Sequence, residues 1–329
     1  MITRRSLLAA GALLPVVLAP GPAWGATTPR LTLPAPTGRY KIGTSSFRLI
    51  DRSRRRELMS QIWYPATVTR QPAAPWMREA PLQALLSSAG FDPATSPVTS
   101  AHEDAPPLRS LGPMPIILYS HGAGGHRSEA TIVVQELASH GYAVLAVDHT
   151  GDAYTEFPDG RLSVPAGSST PWDHAFDMLF VLDRLAQLPL PLNLRRIGMF
   201  GWSKGATATA LVMNSDRRVR AGLSLDGPME SQPRPASIDR PFMLMTAEYT
   251  RDAPDSPVAD FWALLRGWRR DLRVEGAPHS GFVDHQWLIP QLGLDEEELA
   301  GWIGTLDPAR AVRMQQVYPL AFFDQHLRL

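Results

Sequence analysis

A strand, a glycine-flanked serine and a helix follow one another directly between residues 196 and 213, and this succession constrains the fold most. Residues 197–200 read as a buried strand, Gly-Trp-Ser-Lys-Gly occupies 201–205, and residues 206–213 are rich in Ala and Thr. A serine in this setting stands at the tip of a tight turn with its hydroxyl exposed above the sheet. The glycines suit a close crossing of strand and helix, where a side chain has no room. The five-residue pattern alone is weak evidence, but its context predicts that Ser203 is a nucleophile.

Short apolar runs alternate with helical patterns along the rest of the chain. Apolar runs bounded by turn residues are typical of buried strands, and apolar residues at helical spacing are typical of amphipathic helices. Their alternation predicts an α/β fold with a mostly parallel central sheet and helices on both faces. The expected strands are 115–119, 142–147, 221–225, 241–246 and 272–274, and the expected helices are 127–140 and 172–187.

Residues 26–329 are expected to form a single domain with one long insertion. Residues 58–64 alternate like a strand that ends at Pro65. Residues 66–114 are rich in Pro, Ala and Ser, and they read as an insertion over the core and a candidate cover for a binding cleft. Residues 26–40 are rich in Pro and Thr and are expected to form a loose arm.

Residues 1–25 have the organisation of an export signal. Arg4 and Arg5 precede an apolar run at 7–18, and Ala-Trp-Gly at 23–25 supplies a small-x-small cleavage site. The arginine pair resembles a twin-arginine signal and predicts a secreted or periplasmic protein. A retained membrane anchor is the alternative, although the apolar run is too short to span a bilayer comfortably. No later segment approaches spanning length, so no integral membrane segment is expected after cleavage.

The composition argues against several classes of protein. Lys and Arg together number 32, as do Asp and Glu, so the net charge is zero and nothing indicates a nucleic-acid partner. The chain has no cysteine, which excludes disulfides, a thiol nucleophile and Cys-ligated metals. The sequence contains no His or acidic set at metal-ligand spacing and no glycine-rich phosphate loop. We therefore expect neither a metal nor an organic cofactor.

A nucleophilic serine needs a neighbouring base, and that base needs a third group to orient it. In enzymes with this turn, the acid and then the histidine follow the serine along the chain. His279 lies in a loop directly after a short strand, where a general base is expected. His285 reads as a helix-surface or packing residue, and His326 lies in the C-terminal tail. His279 is the favoured base, with a hydrogen-bonded loop histidine as the alternative.

The orienting acid has three candidates. Asp226 ends the strand 221–225 and is followed by Gly-Pro, a sharp turn that would hold a carboxylate at the sheet edge. Glu248 and Asp252 follow the next strand. Spacing favours Asp226, because it lies directly at the end of its strand. A carboxylate that only caps the turn is the alternative role.

The glycine-rich segment 121–125 fits a loop that stabilises an oxyanion. It reads His-Gly-Ala-Gly-Gly, and such a backbone can turn its N–H groups toward a developing negative charge. We expect the donors to be the N–H groups of Ala123 and of Lys204, the residue after the serine. An ordinary strand-to-helix turn is the alternative. The candidate pocket residues are Gly122, Trp202 and His121, the last also a candidate buttress of the loop.

With these residues placed, the chain resembles the secreted α/β-hydrolases related to plasma platelet-activating-factor acetylhydrolase, including their bacterial lipase and esterase branch. The resemblance spans about residues 58–285 and implies an α/β-hydrolase fold, an ester substrate and an acid at Asp226. Trp202 and Lys204 depart from the family pattern, in which His more often precedes the serine and Phe or Met follows it. The segments that carry the resemblance are 62–65, 120–124, 143–149, 201–205, 224–227, 246–249 and 278–284.

We therefore expect an exported serine hydrolase that cleaves short-acyl esters of a lipid-like or small alcohol. Ser203, His279 and Asp226 would form its triad, and an acyl-enzyme would be its intermediate. An amidase or peptidase is the alternative, because the triad alone does not choose between ester and amide. A non-catalytic exported binding protein is a third reading, but it would be expected to lack a triad member.

Overall fold

The described residues, 29–68 and 70–328 of a computed structural model, alternate between strands and helices. The strands are β1 (Lys41–Asp51), β2 (Arg56–Ala66), β3 (Ala73–Pro75), β4 (Val98–Glu103), β5 (Met114–Ser120), β6 (Ala143–Val147), β7 (Thr155–Glu156), β8 (Leu162–Ser163), β9 (Leu192–Trp202), β10 (Val219–Leu225), β11 (Phe242–Thr246) and β12 (Arg269–Arg273). The helices are α1 (Glu79–Ala89), α2 (Thr131–Ser139), α3 (Pro171–Arg184), α4 (Lys204–Ser215), α5 (Pro257–Leu264), α6 (His285–Leu288), α7 (Glu296–Ile303) and α8 (Pro308–Leu327).

One large sheet runs through the molecule in the strand order β12-β11-β10-β9-β5-β6-β2-β1-β4-β3. The six strands from β12 to β6 are mutually parallel. β2 pairs antiparallel with β6, and β1 pairs antiparallel with β2. A separate hairpin is formed by β7 and β8. The expected α/β fold with a mostly parallel sheet is therefore confirmed.

The central parallel strands β5 and β6 are covered on both faces, which explains their apolar runs. Along β5, Ile116 and Leu118 belong to the apolar cluster that includes residues of α3 and α4. Their neighbours Ile117 and Tyr119 point the other way, into the cluster with residues of α2 and α8. Successive side chains alternate between the faces of a strand, so a strand between two helical layers must be apolar throughout.

Residues 66–114 extend the sheet as well as packing over it. β4 pairs parallel with β1, and β3 pairs antiparallel with β4, so this segment forms one edge of the large sheet. Trp76, Leu82 and Leu288 share a third apolar cluster, which joins α1 to the region of α6. The Trp76 indole Nε1–H donates to Asp284 Oδ2 at 2.8 Å and to the Ser128 carbonyl at 2.6 Å.

Several boundaries differ from the sequence expectations. β2 runs through Pro65 to Ala66, where Pro65 lies beyond the last residue paired with β6. The expectation of a loose arm is wrong for residues 29–40, because Leu31 is buried and the Thr37 N–H donates to Glu136 Oε2 at 2.8 Å. β1 and α8 have no counterpart among the sequence predictions.

None of the helices formed by residues 29–68 and 70–328 combines the length and the apolar character needed to cross a bilayer. The export signal expected at residues 1–25 lies outside the described residues. The location of the protein therefore stays a prediction from sequence.

The turn between β9 and α4 depends on two glycines. A Cβ at position 205 would lie 2.0 Å from the Ser120 carbonyl oxygen, and one at position 201 would lie 2.1 Å from the Gly205 carbonyl oxygen. Both obstacles are backbone atoms, which have little freedom to move. Ser203 itself has φ 54° and ψ −121°, a conformation that costs an L-residue on the order of 1–3 kcal/mol. The surrounding packing must hold this strained serine in place.

The substitution Gly205→Ala is expected to destabilise the protein by about 3 kcal/mol or more, because overpacking against backbone cannot relax. Gly301→Ala is the matched control, since Gly301 also lies in a helix and a Cβ there meets nothing within 4 Å. The control is expected to be neutral or to stabilise the helix by up to about 1 kcal/mol. Urea unfolding of both variants measures the difference, and equal stabilities would refute the close crossing.

Candidate active site

Ser203 lies between the end of β9 and the start of α4, at the carboxyl end of the sheet. Its backbone N–H donates to the Leu225 carbonyl at 3.0 Å, which fastens the turn to the end of β10. The side chain is half-buried, and its hydroxyl makes no hydrogen bond with another of the described residues. The hydroxyl is thus positioned by the backbone and remains free to contact a ligand.

Asp226 directly follows β10 and is fully buried. The His279 Nδ1–H donates to Asp226 Oδ2 at 2.7 Å. Three backbone N–H groups also donate to the carboxylate, those of Ala247 at 2.8 Å, Glu248 at 3.3 Å and Tyr249 at 3.1 Å. These bonds compensate for burial of the carboxylate and fix its orientation. With Nδ1 bonded to the carboxylate, Nε2 is the ring nitrogen of His279 left to accept a proton.

His279 is held at its backbone as well as at its ring. Its N–H donates to Glu248 Oε1 at 3.0 Å, and its carbonyl accepts from the Trp202 indole Nε1–H at 2.9 Å. The Trp202 ring lies 4.8 Å from the imidazole, and the Tyr249 ring meets the imidazole edge-on at 5.2 Å. Trp202 precedes Ser203, so its indole joins the serine turn directly to the histidine loop.

The other candidates for the acid and the base lie elsewhere. Glu248 contacts the backbone of His279, not its ring. Asp252 is exposed and pairs with Arg273 at 2.8 Å. His285 is half-buried, and desolvation lowers the pKa of its ring to about 4. His326 packs against Trp268, with the ring centres 4.5 Å apart. The structure therefore brings Asp226 to His279, next to the turn that carries Ser203.

The glycine-rich loop 121–125 lies directly against the serine turn. A Cβ at position 122 would lie 2.4 Å from an indole carbon of Trp202 and 3.2 Å from Ser203 Cβ, so only glycine fits there. Within residues 29–68 and 70–328, the backbone N–H groups of Ala123 and Lys204 have no hydrogen-bond acceptor. Unsatisfied donors on two adjoining segments are the arrangement that an oxyanion requires.

His121 does not line a pocket, contrary to the sequence expectation. It is fully buried, its Nδ1–H donates to the Gly122 carbonyl at 2.6 Å, and its Nε2 accepts from the His149 N–H at 3.0 Å. Burial, together with the neighbouring His149, lowers the pKa of His121 to about 3. The neutral ring therefore braces the loop from behind and offers no nitrogen to a ligand.

A second serine–histidine–carboxylate line lies in the core behind the loop. Ser120 Oγ is 2.9 Å from His149 Nε2, and His149 Nδ1 is 3.0 Å from Asp177 Oδ2. All three side chains are buried. Contact among these residue types is therefore insufficient to define a site in this protein, and exposure of the serine distinguishes Ser203 from Ser120.

Two buried carboxyl groups near the site, those of Glu129 and Asp284, were not predicted from the sequence. Glu129 Oε1 accepts from the Gly122 N–H at 2.8 Å and from the Tyr119 hydroxyl at 2.8 Å. Asp284 caps the start of α2 by accepting from the Thr131 N–H at 2.8 Å and the Ile132 N–H at 3.0 Å. Burial raises the pKa of Glu129 to about 8 and that of Asp284 to about 7. A protonated Glu129 brings no negative charge to the loop at neutral pH.

Comparison with known proteins identifies the class to which this fold and site belong. The family described as alpha/beta hydrolase fold matches residues 115–282, and the family described as platelet-activating factor acetylhydrolase, isoform II, matches residues 25–156. A ferulic acid esterase from Streptomyces cinnamoneus has a solved structure with 34% identity and a TM-score of 0.79, covering 92% of this chain and 94% of its own. A dienelactone hydrolase from Anabaena variabilis, 15% identical with a TM-score of 0.51 over 87% and 99% of the two chains, shares the fold.

Two curated relatives narrow the class. A platelet-activating factor acetylhydrolase of Cavia porcellus is 22% identical over 91% of this chain and 78% of its own length. A probable 1-alkyl-2-acetylglycerophosphocholine esterase of Arthroderma benhamiae is 24% identical over 89% and 87% of the two chains. The chain thus belongs to the α/β-hydrolase family. Within that family it is a carboxylic ester hydrolase of the platelet-activating-factor-acetylhydrolase-like type, which confirms the resemblance seen in the sequence.

Glu129 is expected to make the folded protein less stable as the pH rises from about 4.5 to 8. The unfolded chain releases the Glu129 proton near 4.5 and the folded chain near 8, so folding takes up a proton in this interval. The glutamine side chain of Glu129→Gln cannot ionise, so the free energy of unfolding of this variant should fall less steeply with pH than that of the wild type. The two slopes should differ by up to about 1.4 kcal/mol per pH unit. Urea unfolding across this range tests the difference.

Glu275→Gln is the control for that experiment, because Glu275 is an exposed carboxylate. This variant should reproduce the pH dependence of the wild-type protein. If Glu129→Gln did so as well, Glu129 would have to be ionised in the folded state.

Proposed function

We propose that the protein is an exported serine esterase in which Ser203, His279 and Asp226 form the catalytic triad. Ser203 Oγ attacks the ester carbonyl while His279 Nε2 takes its proton. Asp226 keeps the ring in the required tautomer and stabilises the imidazolium that forms. The observation that carries the proposal is the 2.7 Å bond from His279 to Asp226, in a loop that Trp202 joins to the serine turn.

The tetrahedral oxyanion is stabilised by the N–H groups of Ala123 and Lys204. Each preorganised donor of this kind contributes on the order of 3 kcal/mol to transition-state stabilisation. His279 then protonates the departing alcohol, and an acyl group remains on Ser203. A water molecule then attacks the acyl carbonyl as His279 Nε2 takes its proton, and the same two N–H groups stabilise the second oxyanion. Collapse of this oxyanion breaks the bond to Ser203 Oγ, His279 returns the proton to Oγ, and the carboxylic acid is released. The catalytic chemistry requires no metal or organic cofactor.

Short-acyl esters of a lipid-like or small alcohol are the proposed substrates. Support comes from the relatives named platelet-activating factor acetylhydrolase and 1-alkyl-2-acetylglycerophosphocholine esterase. Export rests on the twin-arginine-like sequence at residues 1–25. Function outside the cytoplasm would also suit a chain that has no cysteine to oxidise.

Ser203→Ala is expected to lower the turnover of p-nitrophenyl acetate at least about 1000-fold and to abolish labelling by a fluorophosphonate, because the nucleophile is removed. Ser120→Ala is the matched control, since Ser120 also contacts a histidine but is buried. The control variant should still be labelled at Ser203. Turnover that survives Ser203→Ala would refute the mechanism.

A hydroxycinnamoyl ester is the second candidate substrate. The ferulic acid esterase is 34% identical over 92% of this chain. Next to His279, Tyr249 is 41% exposed, so its side chain is available to contact a planar acyl group. A flat aromatic acid can stack on or meet such a ring edge-on, whereas an acetyl group is too small to do so.

Tyr249→Ala is expected to separate the two candidates. If the substrate is aromatic, kcat/KM for methyl ferulate should fall about 10-fold while kcat/KM for p-nitrophenyl acetate changes little, because only the larger acyl group loses a ring contact. Phospholipids with an sn-2 acetyl group provide the comparison substrate for the first candidate. Wild-type enzyme that cleaves the phospholipid but not the ferulate ester would exclude the second candidate.

A further inference from the structure

We propose that the Asp152–Lys204 ion pair is a positioning clamp that holds the two oxyanion donors at their working separation. This inference rests on the proposed function, because it concerns the N–H groups of Ala123 and Lys204. Asp152 lies in the loop after β6 and its side chain is 3% exposed. Neither its sequence position nor the proposed mechanism assigns it a role.

One carboxylate contacts both halves of the oxyanion site. Asp152 Oδ1 accepts from the backbone N–H of Gly124, the residue after Ala123, at 3.2 Å. Asp152 Oδ2 accepts from Lys204 Nζ at 2.7 Å. The glycine-rich loop and the start of α4 are therefore joined through the two oxygen atoms of a single side chain.

Lys204 is held at both of its ends. Its backbone is the first residue of α4, directly after Ser203. Its Nζ donates to Asp152 and also to the Ser169 carbonyl at 2.7 Å. A side chain fixed at the tip restricts rotation of its own peptide unit, whose N–H is one of the two donors. A shift of about 1 Å in such a group can reduce a rate by about 100-fold.

The charge of Lys204 contributes separately from its position. The His174 Nε2–H also donates to Asp152 Oδ2, at 2.8 Å. Burial, with the nearby His149, holds the pKa of His174 well below its ordinary value, so this ring is neutral. Among the described residues, Lys204 is thus the cation that pairs with Asp152. Without it, an unpaired carboxylate would lie beside the site where negative charge develops.

A clamp of this kind acts on the transition state and not on the bound ester. Acylation and deacylation both pass through a tetrahedral oxyanion, so a misplaced donor slows both steps. For an acyl-enzyme mechanism, equal slowing of the two steps lowers kcat and leaves KM nearly constant. A residue that only supported the substrate pocket would change KM instead.

The test compares Lys204→Met, Asp152→Asn and the double variant in p-nitrophenyl acetate hydrolysis, with active sites counted by fluorophosphonate titration. Each single variant should lower kcat about 10- to 100-fold, with KM within about twofold of wild type. The inhibition constant of a trifluoromethyl ketone, which forms an oxyanion on the serine, should rise by the same factor. The kcat of the double variant should be no lower than that of the slower single variant, because both substitutions remove the same contact.

Arg218→Met is the matched control, because Arg218 pairs with Asp216 at 2.6 Å just beyond the opposite end of α4. It should leave kcat and KM unchanged. Lys204→Arg keeps the charge and should recover part of kcat. Additive losses in the double variant, or a rise in KM at constant kcat, would overturn the clamp. Wild-type kcat in both single variants would overturn it while leaving the triad intact, whereas activity of Ser203→Ala would refute the proposed function itself.

Discussion

Helix α4 crosses the end of β5 so closely that this one contact sets the serine turn against the glycine-rich loop. At Gly205 the helix backbone lies so close to the Ser120 carbonyl oxygen that no room is left for a Cβ. Ser203 is the residue before the helix, and the glycine-rich loop is the continuation of β5. The crossing therefore brings the nucleophile and the loop together, and it forces Ser203 into its strained backbone conformation. Strain of this kind persists only where packing on all sides over-determines it.

The parts of the fold that could be predicted are those in which burial determines the residue types of the segment. β5, β6 and β11 are buried along nearly their whole length, and they appear in the sequence as apolar runs. β10 shows the same pattern over residues 221–225, interrupted only by the buried Ser224. β1 was missed because it is exposed on alternate residues and contains polar side chains. α8 was missed because its composition is mixed and Pro319 lies inside it.

The candidate site likewise contains residues that could be predicted from the sequence and residues that could not. Ser203, Asp226 and His279 each follow a strand end, so the sequence order predicted their proximity, and the structure brings Asp226 to His279. Glu129 and Asp152 carry no such signal, because acidic residues in loops are normally solvated. Only the tertiary structure shows that both are buried and bonded to the glycine-rich loop. One is held neutral by burial and the other is paired with a cation, so neither places an uncompensated charge beside the site.

The two outer edges of the large sheet influence whether copies of the protein can associate by pairing their strands. Among residues 29–68 and 70–328, β12 has a neighbouring strand on one side only, and an edge of this kind can recruit a strand from another molecule. Four of its five residues are charged, three of them arginines, so two such edges repel each other. At the opposite edge β3 is three residues long and contains Pro75, which has no N–H to donate. Both ends of the sheet therefore oppose growth by strand addition.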